Sequence, residues 1–334
     1  MVDKPVIGIT MGDAAGIGPE IICKSLRDMS LREQIRPIVI GDASVMRRVI
    51  ARLGENTEIA DFARNAQPKD RSIEMIDLKN LPDDFPMGQV SPATGKAAGE
   101  YIESAVELWK NGEIDAICTA PINKKSLGLG GYDFPGHTEF IAALTNTNDF
   151  AMSFFADKLR VVLLSTHLSL SDAIARVKTD PLVELIDFTN RTLSSLLKRK
   201  VTIAVAGLNP HASEDGMFGT EERDEIEPAI ATCSASGIDV SGPYSPDTIF
   251  LRGHNGEFDA VIACYHDQAT IAVKSLSFGS AVNVTLGLPL IRTSVDHGTA
   301  FDIAGRGIAD ESSLKAAIRL AGDLIRPAEK AESP

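Results

Sequence analysis

Val161-Val-Leu-Leu-Ser-Thr-His167 is an apolar run that stops at an imidazole, and the chain repeats the device twice more. Val201-Thr-Ile-Ala-Val-Ala-Gly-Leu-Asn-Pro leads to His211, and Asp259-Ala-Val-Ile-Ala-Cys-Tyr leads to His266. Short apolar runs bounded by polar or turn residues read as strands buried on both faces of a parallel sheet. Open α/β sheets bind ligands beyond the carboxyl ends of their strands. The three imidazoles are therefore expected at the edge where such proteins do chemistry, and imidazole is the commonest metal-ligand side chain. The pattern outlines a metal site at His167, His211 and His266. The competing reading of each, a hydrogen-bonded loop histidine, stays open on pattern alone.

Outward from these runs, strand-like and helical stretches alternate. Val6-Ile-Gly-Ile-Thr, Arg36-Pro-Ile-Val-Ile, Ile114-Asp-Ala-Ile-Cys and Ala281-Val-Asn-Val-Thr read as further strands. A helix is expected over 180–199, with Asp180 and Pro181 as cap and first turn. Its apolar stripe is Leu182, Leu185, Ile186, Leu193, Leu196 and Leu197. Residues 94–110 and 312–325 read similarly. Alternating β and α predicts α/β layers around a mostly parallel sheet. A length of 334 residues predicts two domains, yet no linker, repeat or low-complexity segment marks the boundary. The tail Arg326 to Pro334, rich in Ala, Glu and Pro, is expected to fray.

A net charge of −13 argues against nucleic acid or an anionic membrane surface as a general partner. An anionic small substrate would need local positive charge, from a metal or from particular Lys and Arg residues. The four cysteines are scattered without a CxxC pair, which suits a reducing compartment. Met1-Val-Asp-Lys-Pro shows no signal-peptide pattern, and no apolar stretch approaches the ~20 residues that span a bilayer. A cytoplasmic location is expected.

Several segments carry chemistry. No GxGxxG follows an early strand, and no GxxxxGK[ST] occurs. Thr10-Met-Gly-Asp-Ala-Ala-Gly-Ile-Gly-Pro-Glu runs from strand to helix; it reads either as an anion-binding turn or as a structural turn with Pro19 opening the helix. Phe134-Pro-Gly-His-Thr-Glu reads as a turn into a helix capped by Thr138, with His137 placed to add a donor for an anion. Asn209-Pro-His-Ala-Ser-Glu-Asp-Gly is a polar loop suited to a site. In Tyr265-His-Asp-Gln, Asp267 is placed to orient His266 or accept a proton, or else is an N-cap. Lys274, Asn283 and Arg292 follow at spacings of nine, and arginine suits bidentate grip of carboxylate or phosphate. Asp296-His-Gly-Thr-Ala-Phe-Asp-Ile-Ala-Gly admits close backbone approach. His254, with no strand feeding it, reads as a surface residue.

Together these segments resemble the 4-hydroxythreonine-4-phosphate dehydrogenase family (PdxA). The matching stretches also include Gly242-Pro-Tyr-Ser-Pro-Asp-Thr and Val282-Asn-Val-Thr-Leu-Gly-Leu-Pro-Leu-Ile-Arg-Thr-Ser-Val-Asp-His-Gly-Thr-Ala, and as a set run from residue 6 to about 325. The resemblance implies two α/β/α lobes of the isocitrate/isopropylmalate dehydrogenase type, with the active site in the cleft between them. Approximate boundaries are 1–125 with 270–334 for the first lobe and 126–269 for the second. It further implies a homodimer and binding of NAD, or NADP, without a Rossmann fingerprint.

Carried over by resemblance, the metal ligands are His167, His211 and His266, one of them contributed across the dimer interface, with zinc expected and Mg, Co or Mn as alternatives. Substrate binding falls on His137, Thr138, Lys274, Asn283 and Arg292, and cofactor binding on His297, Gly298, Thr299, Ala300 and Asp302. Asp267 and Lys274 are the candidate proton acceptors. Ala14 replaces a common proline and Ser213 a frequent glycine, the latter close enough to His211 to alter the substrate pocket. The activity implied is NAD- and metal-dependent oxidation, with decarboxylation, of 4-phosphooxy-L-threonine to 3-amino-2-oxopropyl phosphate in pyridoxal phosphate biosynthesis. Paralogues acting on 4-phospho-D-threonate, 4-phospho-D-erythronate or an aromatic cis-dihydrodiol are the alternatives, and a metal-dependent hydrolase is a distant one.

Overall fold

A computed structural model describes residues 4–67, 71–277 and 279–326. The expected fraying of the tail falls on residues that, beyond Arg326, lie outside this range. Twelve strands occur among the described residues: β1 (Val6–Thr10), β2 (Arg36–Gly41), β3 (Ile59–Asp61), β4 (Ile73–Asp77), β5 (Ala116–Thr119), β6 (Ala151–Ala156), β7 (Leu159–Leu163), β8 (Ile203–Ala206), β9 (Val240–Tyr244), β10 (Ala260–Ala263), β11 (Val282–Leu286) and β12 (Ile291–Ser294). The chain divides into two compact units, Met1–Asp149 with Leu288–Arg326, and Phe150–Gly287. Residues 126–149 therefore belong with the first unit and 270–287 with the second, unlike the division drawn from resemblance.

In the first unit the strands lie in the order β3-β4-β2-β1-β5-β12, all parallel. Ile7, Ile9, Ile38 and Ile40 are fully buried within it, each worth roughly 1.5–3 kcal/mol against exposure. Strand β4 is not foreseen from its sequence because Glu74 interrupts an apolar run. On β2, Arg36 answers that charge, its Nη2 lying 2.7 Å from Glu74 Oε1 in a buried ion pair.

In the second unit the order is β11-β6-β7-β10-β8-β9. Strand β6 runs antiparallel to both neighbours and the remaining pairs are parallel. Two residues join β6 to β7, with Asp157 at φ +52°, and so short a connection can only make an antiparallel hairpin. Phe154, Leu159, Val161, Val261 and Val273 form its buried core. The fold is α/β and mostly parallel, as the runs predict.

The helix expected over 180–199 spans Thr179–Leu197. Asp180 does not cap it: Lys178 occupies the cap position without a side-chain cap bond, and Asp180 sits in the first turn, where a carboxylate favours the helix dipole. The leading turn is held instead by Glu225, whose Oε2 accepts from Thr179 N and Oγ1, both at 2.9 Å. Leu182, Ile186 and Leu193 are buried, whereas Leu185, Leu196 and Leu197 are half-buried. The other two long helices are Pro92–Lys110 and Ser312–Ile325. All four cysteines are buried and unbridged. No described helix is long and apolar enough to cross a membrane.

Candidate active site

Strand β10 pairs with β7 on one side and β8 on the other, so His167, His266 and His211 leave the carboxyl ends of three neighbouring strands. Hydrogen bonds fasten these ends together. Leu164 N donates to Ala263 O at 2.9 Å, and Ser165 Oγ to Cys264 O at 3.0 Å. Gln268 spans the other gap: its Oε1 accepts Cys264 N at 2.7 Å and its Nε2 donates to Gly207 O at 2.8 Å. Gln268 is not legible as a site residue in the sequence, because an amide beside His-Asp carries no signal until both strand ends are in place.

The rings of His167 and His266 lie 5.9 Å apart, centre to centre, at an interplanar angle of 37°. Two imidazoles sharing one ion through bonds of about 2.1 Å have centres about 5 Å apart, so this pair fits a divalent cation after a small closure. His266 is the first residue of the helix His266–Leu276, whose cap residue Tyr265 makes no side-chain cap bond. Asp267 is therefore no N-cap. Its Oδ1 lies 2.8 Å from His266 Nδ1, an arrangement that holds the ring and leaves Nε2 for a ligand. His211 stands apart from the pair. It is exposed, its ring centre is 6.4 Å from that of Phe218, and no group of three His, Cys, Asp or Glu side chains that could hold a metal occurs among the described residues.

In the first unit, a cradle for an anion forms around Arg292 on β12. The side chain is buried, 3% exposed, and burial lowers its pKa to about 10. Its Nη2 donates to Thr119 Oγ1 at 2.8 Å and its Nη1 to Thr138 Oγ1 at 3.4 Å. Thr138 does not cap its helix. The cap position of His137–Leu144 lies two residues earlier, at Gly136, whose extended backbone enters the helix without a side-chain cap bond. His137 thus occupies the first turn, with Nε2 enclosed and unpartnered. Burial, and secondarily the charge of Arg292, holds its pKa well below the ordinary histidine value, so it is neutral near pH 7. A neutral Nε2–H beside a buried guanidinium can donate to an anionic oxygen.

Lys274 and Asn283 belong to the second unit, on His266–Leu276 and on β11. Asn283 Oδ1 is buried without a partner, and Lys274 is exposed. His254 closes the helix Ile249–His254 half-buried, with Nδ1 enclosed, because the chain turns back there to enter β10; it is not the surface residue expected.

The glycine-bearing turn after β1 is tied by hydrogen bonds to the rest of its unit. Three of its amides are spent internally: Asp13 N on Pro121 O at 2.9 Å, Gly16 N on Asp13 O at 2.9 Å and Ile17 N on Thr299 O at 3.0 Å. The last of these bonds anchors the segment 297–302. Thr299 is buried, while His297, Gly298 and Asp302 are exposed and Ala300 adopts φ +43°. Beside it lies a cavity of about 240 Å³ lined by Gly16, Arg48, Arg52, Phe85, Met87 and Gly305, among others.

The family model for the pyridoxal phosphate biosynthetic protein PdxA matches residues 33–321. The chain is 48% identical over 323 residues to D-threonate 4-phosphate dehydrogenase of Cupriavidus necator, covering 96% of this chain and 97% of the relative. It is 46% identical over 325 residues to 4-hydroxythreonine-4-phosphate dehydrogenase of Desulforapulum autotrophicum, with 96% and 95% covered. A crystal structure of a 4-hydroxythreonine-4-phosphate dehydrogenase from Burkholderia phymatum superposes with TM-score 0.85 at 47% identity, over 96% of this chain and 98% of that one. An α/β oxidoreductase of the dehydrogenase class is the protein these observations define. The chain belongs to the PdxA family.

Proposed function

We propose that this dehydrogenase oxidises the secondary alcohol of a 4-phosphorylated, threonine-like hydroxy acid, using NAD and a divalent metal. The observation that carries the reading is the enclosed, unpartnered Nε2 of His137 beside the buried guanidinium of Arg292, a cradle for a phosphate. Thr138, bonded to Arg292, completes it. Asn283, with its buried unpartnered oxygen, and Lys274 are the further substrate contacts.

His167, His211 and His266 would hold the metal, zinc first, and the spacing of His167 and His266 supports this. The exposed apolar side chains Leu168, Leu170 and Ile174 follow His167, and Met217 and Phe218 follow His211. Apolar surface beside polar ligands suits an interface, which supports a homodimer whose partner copy completes the ligand set. The cofactor would lie along His297, Gly298, Thr299, Ala300 and Asp302, where the adjoining cavity supplies apolar walls and two guanidinium groups.

With both groups bound, NAD supplies the hydride acceptor and the cation a Lewis acid that acidifies the alcohol and stabilises the charge left when CO₂ departs. The chain's own residues do the rest. Arg292, His137 and Thr138 orient the substrate by its phosphate. Asp267 holds the ring of His266 through one of its two oxygens, and Asp267 or Lys274 would take the alcohol proton. Oxidation at C3 of a 3-hydroxy acid makes a β-keto acid, and loss of its carboxylate as CO₂ leaves a phosphorylated ketone.

For 4-phosphooxy-L-threonine that ketone is 3-amino-2-oxopropyl phosphate, a precursor of pyridoxal phosphate. The second reading, D-threonate 4-phosphate, is favoured by the 48% identity to the Cupriavidus enzyme. NADH formation by metal-loaded enzyme offered both compounds tests the assignment. Preference for the amino acid supports the biosynthetic reading, and preference for the sugar acid a catabolic one. No NADH from either overturns the substrate class.

A further inference from the structure

The turn that carries His211 is built against the preference of its own backbone. His211, Ala212, Ser213, Glu214 and Asp215 follow one another through the left-handed region at φ 54°, 53°, 74°, 47° and 57°, before Gly216 at 94°. L-residues enter this region singly and at a cost, so a run of five must be held by something outside it.

Two buried side chains grip the turn from either end. Glu222, 2% exposed, opens a wide π turn Glu222–Ile226 and directs its carboxylate back at the strand end. Its Oε1 accepts Leu208 N at 2.8 Å and Asn209 N at 2.7 Å, and its Oε2 accepts Asn209 Nδ2 at 2.8 Å. The chain is thus fixed immediately before Pro210 and His211. Ser213, also 2% exposed, fixes it immediately after: its Oγ accepts Gly216 N at 2.9 Å and donates to Gly219 O at 2.6 Å. At φ +74° a glycine would be unstrained, and serine keeps the conformation while adding two hydrogen bonds.

We propose that Glu222 and Ser213 are positioning residues for His211, holding its imidazole in the orientation that ligates a divalent cation. The proposal rests on the metal assignment made above. Each acts through the backbone on either side of the histidine. A buried carboxylate that accepts three bonds from the two residues leading to a ligand does what outer-shell partners of metal ligands do elsewhere. If the clamp served only the stability of the strand end, removing it would lower the melting temperature and leave cation affinity unchanged.

The test uses the full chain, stripped with a chelator and titrated with Co²⁺, whose visible absorption reports coordination. Glu222→Ala is expected to weaken Co²⁺ binding tenfold or more and to speed hydrogen exchange at amides 208–219. Glu222→Gln, which keeps an acceptor for the Leu208 and Asn209 amides, should restore most of the affinity. Ser213→Ala and Ser213→Gly should weaken binding by smaller factors, the glycine variant without loss of melting temperature because the strain is relieved. Unchanged affinity in folded Glu222→Ala and Ser213→Ala, with His211→Ala weakened, would overturn the proposal and leave the metal assignment standing. Should Glu222→Ala fail to fold, the two Ser213 variants decide. Parent-like Co²⁺ binding by His211→Ala overturns the metal assignment and this proposal together.

Discussion

The imidazoles of His167 and His266 face each other at 5.9 Å, although they lie 99 positions apart in the chain. The parallel pairing of β7 with β10, in the register Val161 to Val261, brings them there, and the Ser165–Cys264 hydrogen bond keeps the two strand ends level. Replacing His167 with alanine is expected to remove bound metal and reduce turnover by at least a hundredfold, on the order of 3 kcal/mol. Elemental analysis of the purified variant, with its melting curve as the control for folding, checks this. Full metal content would contradict it.

Arg292→Lys is expected to raise KM for a phosphorylated substrate by about tenfold to a hundredfold, roughly 1.4–2.8 kcal/mol. The lysine keeps the charge but cannot reproduce the planar fork that meets Thr119 and Thr138. KM for an analogue lacking the phosphate should barely change. An equal loss for both compounds would remove Arg292 from the phosphate cradle.

Acid should destabilise the protein through His137. Its folded pKa lies well below the ordinary value of 6.5, because burial first and Arg292 second disfavour the charged ring. As pH falls below 6.5 the unfolded chain takes up a proton that the folded one refuses. Stability therefore declines by up to about 1.4 kcal/mol per pH unit until the folded pKa is reached. Melting temperatures between pH 7 and pH 5 should fall less steeply for His137→Asn than for the parent chain, and parallel slopes would sink the assignment.

Asp13 should act with the opposite sign. Burial raises its pKa above 3.8, outweighing its hydrogen bonds, so the folded state favours the protonated form and loses stability as pH rises through that pKa. Asp13→Asn keeps an acceptor for Ala15 N, which Asp13 Oδ1 meets at 3.0 Å. The variant should melt higher than the parent at pH 8 and lose that advantage at pH 4.

Gly12→Ala should cost more than about 2 kcal/mol. Gly12 sits at φ +71°, and a Cβ there would lie 2.3 Å from Pro121 O. Chemical denaturation measures the loss directly; a parent-like midpoint would mean that this turn yields more readily than its hydrogen bonds suggest.

Periodicity along the chain was enough to reveal the α/β class, the strands that lead to the histidines and the long helices, because local burial writes itself into runs of apolar residues. Charge inside a strand hid β4, since only the pairing of Glu74 with Arg36 makes that strand tolerable. Likewise a cap cannot be told from a first-turn residue without its partner, and so Asp180 and Thr138 took roles their positions alone did not announce, while for Asp267 the contact with His266 told its orienting reading from the N-cap one.

Residue types by themselves limited the chemistry to imidazole, guanidinium and hydroxyl groups at strand ends. Tertiary structure alone selected among them. It enclosed Nε2 of His137 beside Arg292, tied three amides of the early glycine turn to the chain itself, and set Gln268 and Glu222 behind the histidine loops. The physical reason is that burial and hydrogen-bond partnership are properties of pairs of residues. Pairs such as Gly207 with Gln268 lie 61 positions apart, a distance over which no local pattern carries information.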